Sequence, residues 1–292
     1  MPENGNRALA LYRRMTMYDD FALVYDELMD NVPYEEWAEL LHRLILKYGI
    51  SRPETEKKAG VGKLSGEAAA LEEEKNLVLE LGCGTGTVAE LMYQKGYDMI
   101  GIDSSEAMLA KACEKREKSN SKILYLNQEM QSFELYGMVG TIYCICDSIN
   151  YLLTDEDLRE TLALVKNYLF PGGIFIFDFN TIYKYREVIG NSTIAEDRDT
   201  VSFIWENFYD EASHINEYEL TMFTRIDGSD LYRRSREEHF QRGFEFEEMK
   251  KFLIEAGLSV VSAFDGDTRK QPAETSERVY VVAKKEESKK TL

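Results

Sequence analysis

The sequence predicts an α/β fold: a mainly parallel sheet covered on both faces by helices and interrupted late in the chain by an antiparallel β insertion. Three observations predict it. Short apolar runs alternate with amphipathic stretches from Leu77 to Phe179, three closely spaced glycines follow the first such run, and beyond Asn180 the chain turns to aromatic-rich β segments.

The 292 residues exceed the roughly 100 to 200 of one ordinary domain, so one elaborated domain or two coupled ones is expected. With 44% hydrophobic and 30% charged residues the chain can bury a sizeable core. Its formal charge of −18 repels phosphate backbones and anionic lipid heads at long range, which disfavours nucleic acid unless a local basic patch overrides it. Cys83, Cys113, Cys144 and Cys146 form no CxxC pair and have no histidine at ligand spacing. They read as reduced thiols of a cytoplasmic protein, with no metal expected. No apolar run approaches the roughly 18 residues of a membrane helix, and no basic-then-apolar leader opens the sequence, so neither membrane nor secretion is expected.

Taken in order, apolar residues recur at helical spacing from Tyr18 to Tyr48 and break near Asn31-Val32-Pro33, which predicts two helices within residues 1–50. Residues 51–75 are rich in Glu, Lys, Ala and Gly and poor in large apolar side chains, which predicts a flexible insertion with a short helix at Glu67–Glu74. Strands follow at Leu77–Leu81, Asp98–Ile102, Ile123–Leu126, Thr141–Cys146 and Ile174–Phe179, with helices at Thr87–Lys95, Ser105–Ser119 and Asp155–Leu169. Gly96 stops the first of these helices, Thr154 with Asp157 makes a capping box for the third, and Pro171-Gly172-Gly173 ends it. Thr200–Tyr209, His214–Ile226 and Tyr232–Phe240 read as insertion strands joined by turns at Asp210-Glu211 and Asp227-Gly228. A helix at Phe246–Ala256 and strands at Ser259–Phe264 and Arg278–Ala283 return to the main sheet, so the core comprises 76–180 and 246–285 and the insertion 181–245.

In LELGCGTG, Gly82, Gly84 and Gly86 make a turn tight enough to bring backbone against a ligand before the helix at Thr87. A dinucleotide loop reads G-x-G-x-x-G, whereas here the third glycine comes one position early and Thr87 stands in its place, which argues against a nicotinamide-dependent oxidoreductase. Glu80, just before the loop, suits an ammonium or sulfonium better than a diphosphate, or is an exposed strand-end acid. Asp103 ends the second strand about twenty residues past the first glycine, where a carboxylate can accept both ribose hydroxyls. Ser104 is placed to cap the next helix.

The segments LVLELGCGTG, MIGIDSSEAML, LNQEM, CICDSINYLL and LFPGGIFIFDFN together resemble the successive motifs of class I S-adenosylmethionine-dependent methyltransferases. The N-terminal YDDFALVYDELMD and the late β insertion resemble more narrowly a group of small bacterial members. The resemblance implies a Rossmann-like seven-stranded sheet with a reversed last strand, S-adenosylmethionine as cofactor, and a helical lid from residues 1–50 with Tyr25 over the ligand. It places the methionine moiety against Gly82, Cys83 and Gly84, the ribose on Asp103, and the adenine between Ser104 or Met108 and the Glu129-Met130 pair. Two positions depart from it. Glu129 stands where relatives often carry Asp, and Gly140 where they commonly carry Asp just before the fourth strand. Phe21 and Tyr25 can equally be a packing stripe at i, i+4.

Asp147, Ser148, Asn150 and Tyr151 follow the fourth strand, and Asp178 and Asn180 the fifth, so both groups fall at the carboxyl edge where ligands bind in open α/β sheets. Asp147 is assigned to the cofactor, and Asn150, Tyr151, Asp178 and Asn180 to the acceptor. His239 in REEHFQRGF is a candidate general base beside Tyr25, or else a surface strand histidine, and Arg242 could hold a substrate anion. Trp205 and the other insertion aromatics either roof the site or pack the sheet. The expected activity is methyl transfer to N or O of a small molecule by a monomer or homodimer. The alternatives are an RNA- or ribosome-linked methyltransferase, for which Arg233-Arg234-Ser235-Arg236 speaks, and a non-catalytic nucleoside-binding regulator.

Overall fold

The computed structural model describes residues 21–56, 66–226 and 228–287. The expected helix start at Tyr18, the middle of the 51–75 insertion and Asp227 of the expected second turn lie outside the described residues. The helices are α1 (Phe21–Leu28), α2 (Tyr34–Tyr48), α3 (Glu67–Asn76), α4 (Thr87–Gln94), α5 (Glu106–Ser119), α6 (Asp155–Tyr168) and α7 (Phe246–Glu255). The strands begin with β1 (Leu77–Leu81), β2 (Asp98–Asp103), β3 (Leu124–Asn127), β4 (Val139–Cys144) and β5 (Leu169–Asn180). Next come β6 (Thr193–Asp197), β7 (Val201–Asp210), β8 (Ile215–Arg225) and β9 (Tyr232–Arg242), then β10 (Ser259–Asp265) and β11 (Arg278–Lys284). No described helix is long and apolar enough to cross a membrane.

Seven strands form one sheet in the order β10-β11-β5-β4-β1-β2-β3, and β6 to β9 form a separate antiparallel sheet of four. β1 to β5 are mutually parallel, while β11 runs antiparallel to both β5 and β10 and is therefore the reversed strand. The runs LVLEL and IFIFDF are apolar almost throughout because both sheet faces are covered. Leu79, Leu81, Ile142, Phe175 and Phe177 pack against α6 and α7 on one face. Val78, Met99, Tyr143, Ile174 and Ile176 pack against α2 and α4 on the other. The expected lid of 1–50 thus divides: Leu41, Leu44 and Ile45 of α2 are core residues of the sheet, and α1 alone stands apart with Val201, Leu220 and Met222 of the second sheet.

Three local expectations change. The cap of α5 is Ser105, whose Oγ accepts the Met108 N–H at 3.2 Å, because Ser104 still belongs to the exposed bend after β2. Helix α6 starts with the expected Thr154–Asp157 box but ends at Tyr168. Pro171-Gly172-Gly173 lies inside β5 as a bulge, where the register jumps from Val139↔Leu169 to Thr141↔Ile174. Gly140 lies within β4, and a Cβ there would collide with the Lys75 carbonyl oxygen, so the fold takes glycine to let the end of α3 dock. β6 had no counterpart among the expected strands; all five of its residues are exposed, and a strand with no buried face shows no alternation.

Candidate functional site

The chain order reverses between β1 and β4, and α4 and α6 lie on opposite faces, which leaves a crevice at the carboxyl ends of the strands. A cavity of about 1000 Å³ opens there. One wall is the glycine loop. Gly82 adopts φ +70°, and a Cβ on it would press within 2.8 Å of the Ser148 side chain, so this turn accepts no side chain. Over Gly84, at φ +52°, a Cβ would meet nothing within 4 Å: the space above the loop is open. Asp103 fixes the loop, accepting the Gly84 N–H on Oδ2 and the Ser105 N–H on Oδ1, each at 2.8 Å. Burial raises its carboxyl above the ordinary range, and these N–H donors pull the other way. Each Asp103 oxygen keeps a further lone pair for a ligand hydroxyl.

Glu80 is buried rather than exposed, and Tyr143 OH donates to its Oε2 at 3.0 Å. Burial pushes its carboxyl up to about 8, with a further rise from Asp103. At neutral pH it is largely protonated, and a cation beside it would ionise it.

A second wall comes from β4 and β11. Cys146 and Asp147 both take left-handed backbone, φ 62° and 52°, a strained pair of non-glycine residues at the cavity floor. Asp147 is held by Arg278 and by Gln241 Nε2 at 2.8 Å, and Arg278 also pairs with the buried Asp178. Burial works against the guanidinium charge, but Asp178 and Asp147 outweigh it and hold the Arg278 pKa above its usual value. Burial pushes the Cys146 thiol up to about 12, and neighbouring Asp147 adds to the rise.

The third wall joins α1 to the second sheet. Phe21 meets Tyr25 edge-on at 5.1 Å, so the packing stripe exists, and Tyr25 also lines the cavity. Asp26 latches α1 to the glycine loop: it accepts from Thr85 Oγ1 at 2.6 Å and pairs with Lys115 at 2.7 Å, while Lys115 also donates to Thr87 at 2.6 Å. Trp205 stacks obliquely on Tyr218 at 5.0 Å, and both line the cavity, so the insertion does cover it. The buried Trp205 Nε1–H has no acceptor among the described residues.

Of the residues singled out from sequence, Tyr25, Glu80, Gly82, Cys83, Gly84, Asp103, Ser104, Met108, Glu129, Met130, Asp147, Tyr151 and Trp205 line this one cavity. Five others do not. Asn150 donates to the Asn180 and Arg242 carbonyls at 2.9 and 2.7 Å and accepts the Asn180 N–H, so it splices β5 to the end of β9. Asn180 turns its side chain to Tyr185 and Lys184, and Asp178 serves Arg278 from behind the wall. Arg242 is spent on Asp155 and Glu248, at 2.7 and 2.8 Å. His239 is neither surface nor cavity wall: it is 1% exposed, stacked on Tyr218. Sequence reasoning missed Arg278, although a reversed last strand must present its first residue at the carboxyl edge. It also missed the Asp26–Thr85–Lys115 latch, three polar residues far apart in sequence that carry no local signal.

A methyltransferase-domain family model matches residues 78–173. A putative methyltransferase of Geobacillus sp. (strain WCH70) is 32% identical over 268 residues, covering 92% of this chain and 99% of that protein. The crystal structure of an S-adenosylmethionine-dependent methyltransferase from Clostridium acetobutylicum ATCC 824 superposes with a TM-score of 0.75 at 26% identity, covering 92% of this chain and 99% of the other. Over a shorter stretch, 105 residues or 36% of this chain and 43% of the relative, the sequence is 30% identical to a dTDP-3-amino-3,4,6-trideoxy-α-D-glucopyranose N,N-dimethyltransferase of Streptomyces venezuelae.

Proposed function

The chain belongs to the S-adenosylmethionine-dependent methyltransferases, and on that premise we propose that it methylates a nitrogen or oxygen of a small molecule, the charge of the cavity favouring an amine. The observation that carries this reading is the lining. Arg278 is the one cation among the described lining residues and is engaged by Asp147 and Asp178, whereas Asp103, Glu129, Asp147, Glu196 and Glu238 are acidic. Such a field draws a protonated amine and repels a phosphate. The similarity to an amino-sugar N,N-dimethyltransferase supports the same choice.

When bound, the cofactor would supply a methyl group on a sulfonium, open to in-line displacement with a neutral thioether as the leaving group. The residues fit it: open space above Gly84, spare lone pairs on Asp103, and a buried acid at Glu80. In this reading Gly82, Cys83 and Gly84 face the methionine moiety, Glu80 its ammonium, Asp103 the ribose, and Ser104, Met108, Glu129 and Met130 the adenine. Tyr25 closes the roof. Tyr151 and Trp205 then face the acceptor, and Asp147, assigned from sequence to the cofactor, is placed on that side with them because Arg278 and Gln241 hold it against the second wall. Within the basic string Arg236 is paired with Glu219.

Incubation with labelled S-adenosylmethionine and matched pairs of amines and alcohols, beside total RNA, tests the reading. Label in amines is the expected result; label in RNA alone would remove it.

A further inference from the structure

Behind the acceptor wall lies a chain of polar groups that leads away from the cavity. Tyr151 OH and Tyr218 OH are hydrogen-bonded at 2.8 Å, and both residues line the cavity. Tyr151 OH lies 3.5 Å from His239 Nδ1, and the imidazole stacks on Tyr218 with centroids 4.9 Å apart. The other ring nitrogen, Nε2, lies 3.4 Å from Glu237 Oε2. Glu237 is itself buried, and its Oε1 accepts the Phe21 N–H of α1 at 2.9 Å. The negative carboxylate beside Nε2 favours, by its charge, the tautomer protonated there, which leaves the Nδ1 lone pair toward Tyr151.

We propose that Tyr151 and Tyr218 pass the acceptor's proton out of the cavity to His239 Nδ1, with Glu237 stabilising the resulting imidazolium. This rests on the reading of the acceptor as a small-molecule amine. The ammonium loses one N–H proton to a tyrosine oxygen as that hydroxyl's own proton moves along the pair to Nδ1. The freed nitrogen lone pair forms the new C–N bond while the methyl–sulfur bond breaks and its electrons stay on sulfur. Positive charge ends on both the methylated nitrogen and the imidazolium, and solvent removes the imidazolium proton between turnovers. His239 therefore acts through the tyrosines and positions a proton rather than touching substrate. Among the described residues the groups facing it include Tyr218 from β8, Tyr151 from the turn after β4, Glu237 on its own strand and the Phe21 ring edge from α1 at 6.2 Å.

The test uses the full chain and the amine that takes label in the screen above. His239→Asn keeps a hydrogen-bond acceptor near Nδ1 but no basic nitrogen. It should lower kcat about 100-fold at neutral pH, leave S-adenosylhomocysteine affinity unchanged, and replace the wild-type plateau by a rate that climbs with pH. Tyr151→Phe should do the same. A His239→Asn enzyme with the wild-type pH profile overturns the relay while leaving the acceptor class intact. If no amine takes label, the acceptor reading has failed and the relay is judged separately by the nitrogen chemical shifts of the His239 imidazole in the S-adenosylhomocysteine complex, which report the tautomer. Tyr151→Phe should move the Nδ1 resonance and Glu237→Gln the Nε2 resonance. Indifference of the His239 ring nitrogens to both changes rejects the proposal.

Discussion

The two halves of the cavity are built in different ways. The half formed by the glycine loop and Asp103 is made within one β-turn-helix-β unit, and its contacts are largely backbone N–H to carboxylate. The half beyond Asp147 is assembled from the turn after β4, the start of β11, the second sheet and α1, with side chains meeting from far apart in the sequence, Asp147 and Arg278 across 131 positions and Arg198 and Asp30 across 168. Chemistry common to a family is written locally, and chemistry that chooses a partner is written across the fold.

The largest test of that contrast is Arg278→Ala. Removing the cation leaves the buried Asp178 and the strained Asp147 unpaired, which should cost about 3 to 5 kcal/mol in urea unfolding and collapse the acceptor half first. Asp103→Ala should act in the opposite sense. It should weaken S-adenosylhomocysteine binding by calorimetry about 100-fold, as expected for lost charge-assisted hydrogen bonds of about 1.5 to 3 kcal/mol each, with less effect on unfolding. An equal loss of stability in both variants would erase the distinction between the halves.

Glu80→Gln sharpens it by pH. The folded-state pKa of Glu80, raised to about 8 from 4.5, makes its contribution to stability full below pH 4.5 and lost as pH rises through 8. The variant should therefore melt increasingly above wild type across that window when empty. It should also abolish the proton release that accompanies S-adenosylmethionine binding near pH 7, measured by calorimetry in buffers of different ionisation enthalpy. The smallest effect belongs to Asp26→Asn. Its ion pair with Lys115 is partly exposed and worth at most about 1 kcal/mol, so the dissociation rate of S-adenosylhomocysteine should rise no more than about fivefold.

The same contrast governs what could be read in advance. The β/α alternation, the bounds of β1 and the capping box at Thr154 follow from local periodicity and turn chemistry, and the structure has them. The break at Asn31-Val32-Pro33 is there too. Gly82, Asp103 and their neighbours meet in one cavity because their spacing is enforced by a single connection. Asn150, Asp178 and Asn180 fall at the right edge of the sheet and Arg242 beside it in the insertion, but sequence position does not say which way a side chain turns. His239 was legible as a histidine near the site and illegible as the second layer behind Tyr218, a relation set by the β8–β9 register. Deleting the insertion is no clean test of its role, since Val201, Leu220 and Met222 are the packing surface of α1.

The reversal of β11 has a consequence for how this enzyme type can diversify. A parallel last strand would bring only its end to the working edge of the sheet. Here β10 arrives at that edge, β11 departs from it, and residues 266–277 between them form an exposed hairpin loop beside Arg278. The loop is hydrogen-bonded back through the Ser276 and Glu277 carbonyls to Thr181, so its base is anchored while its tip is free to change length.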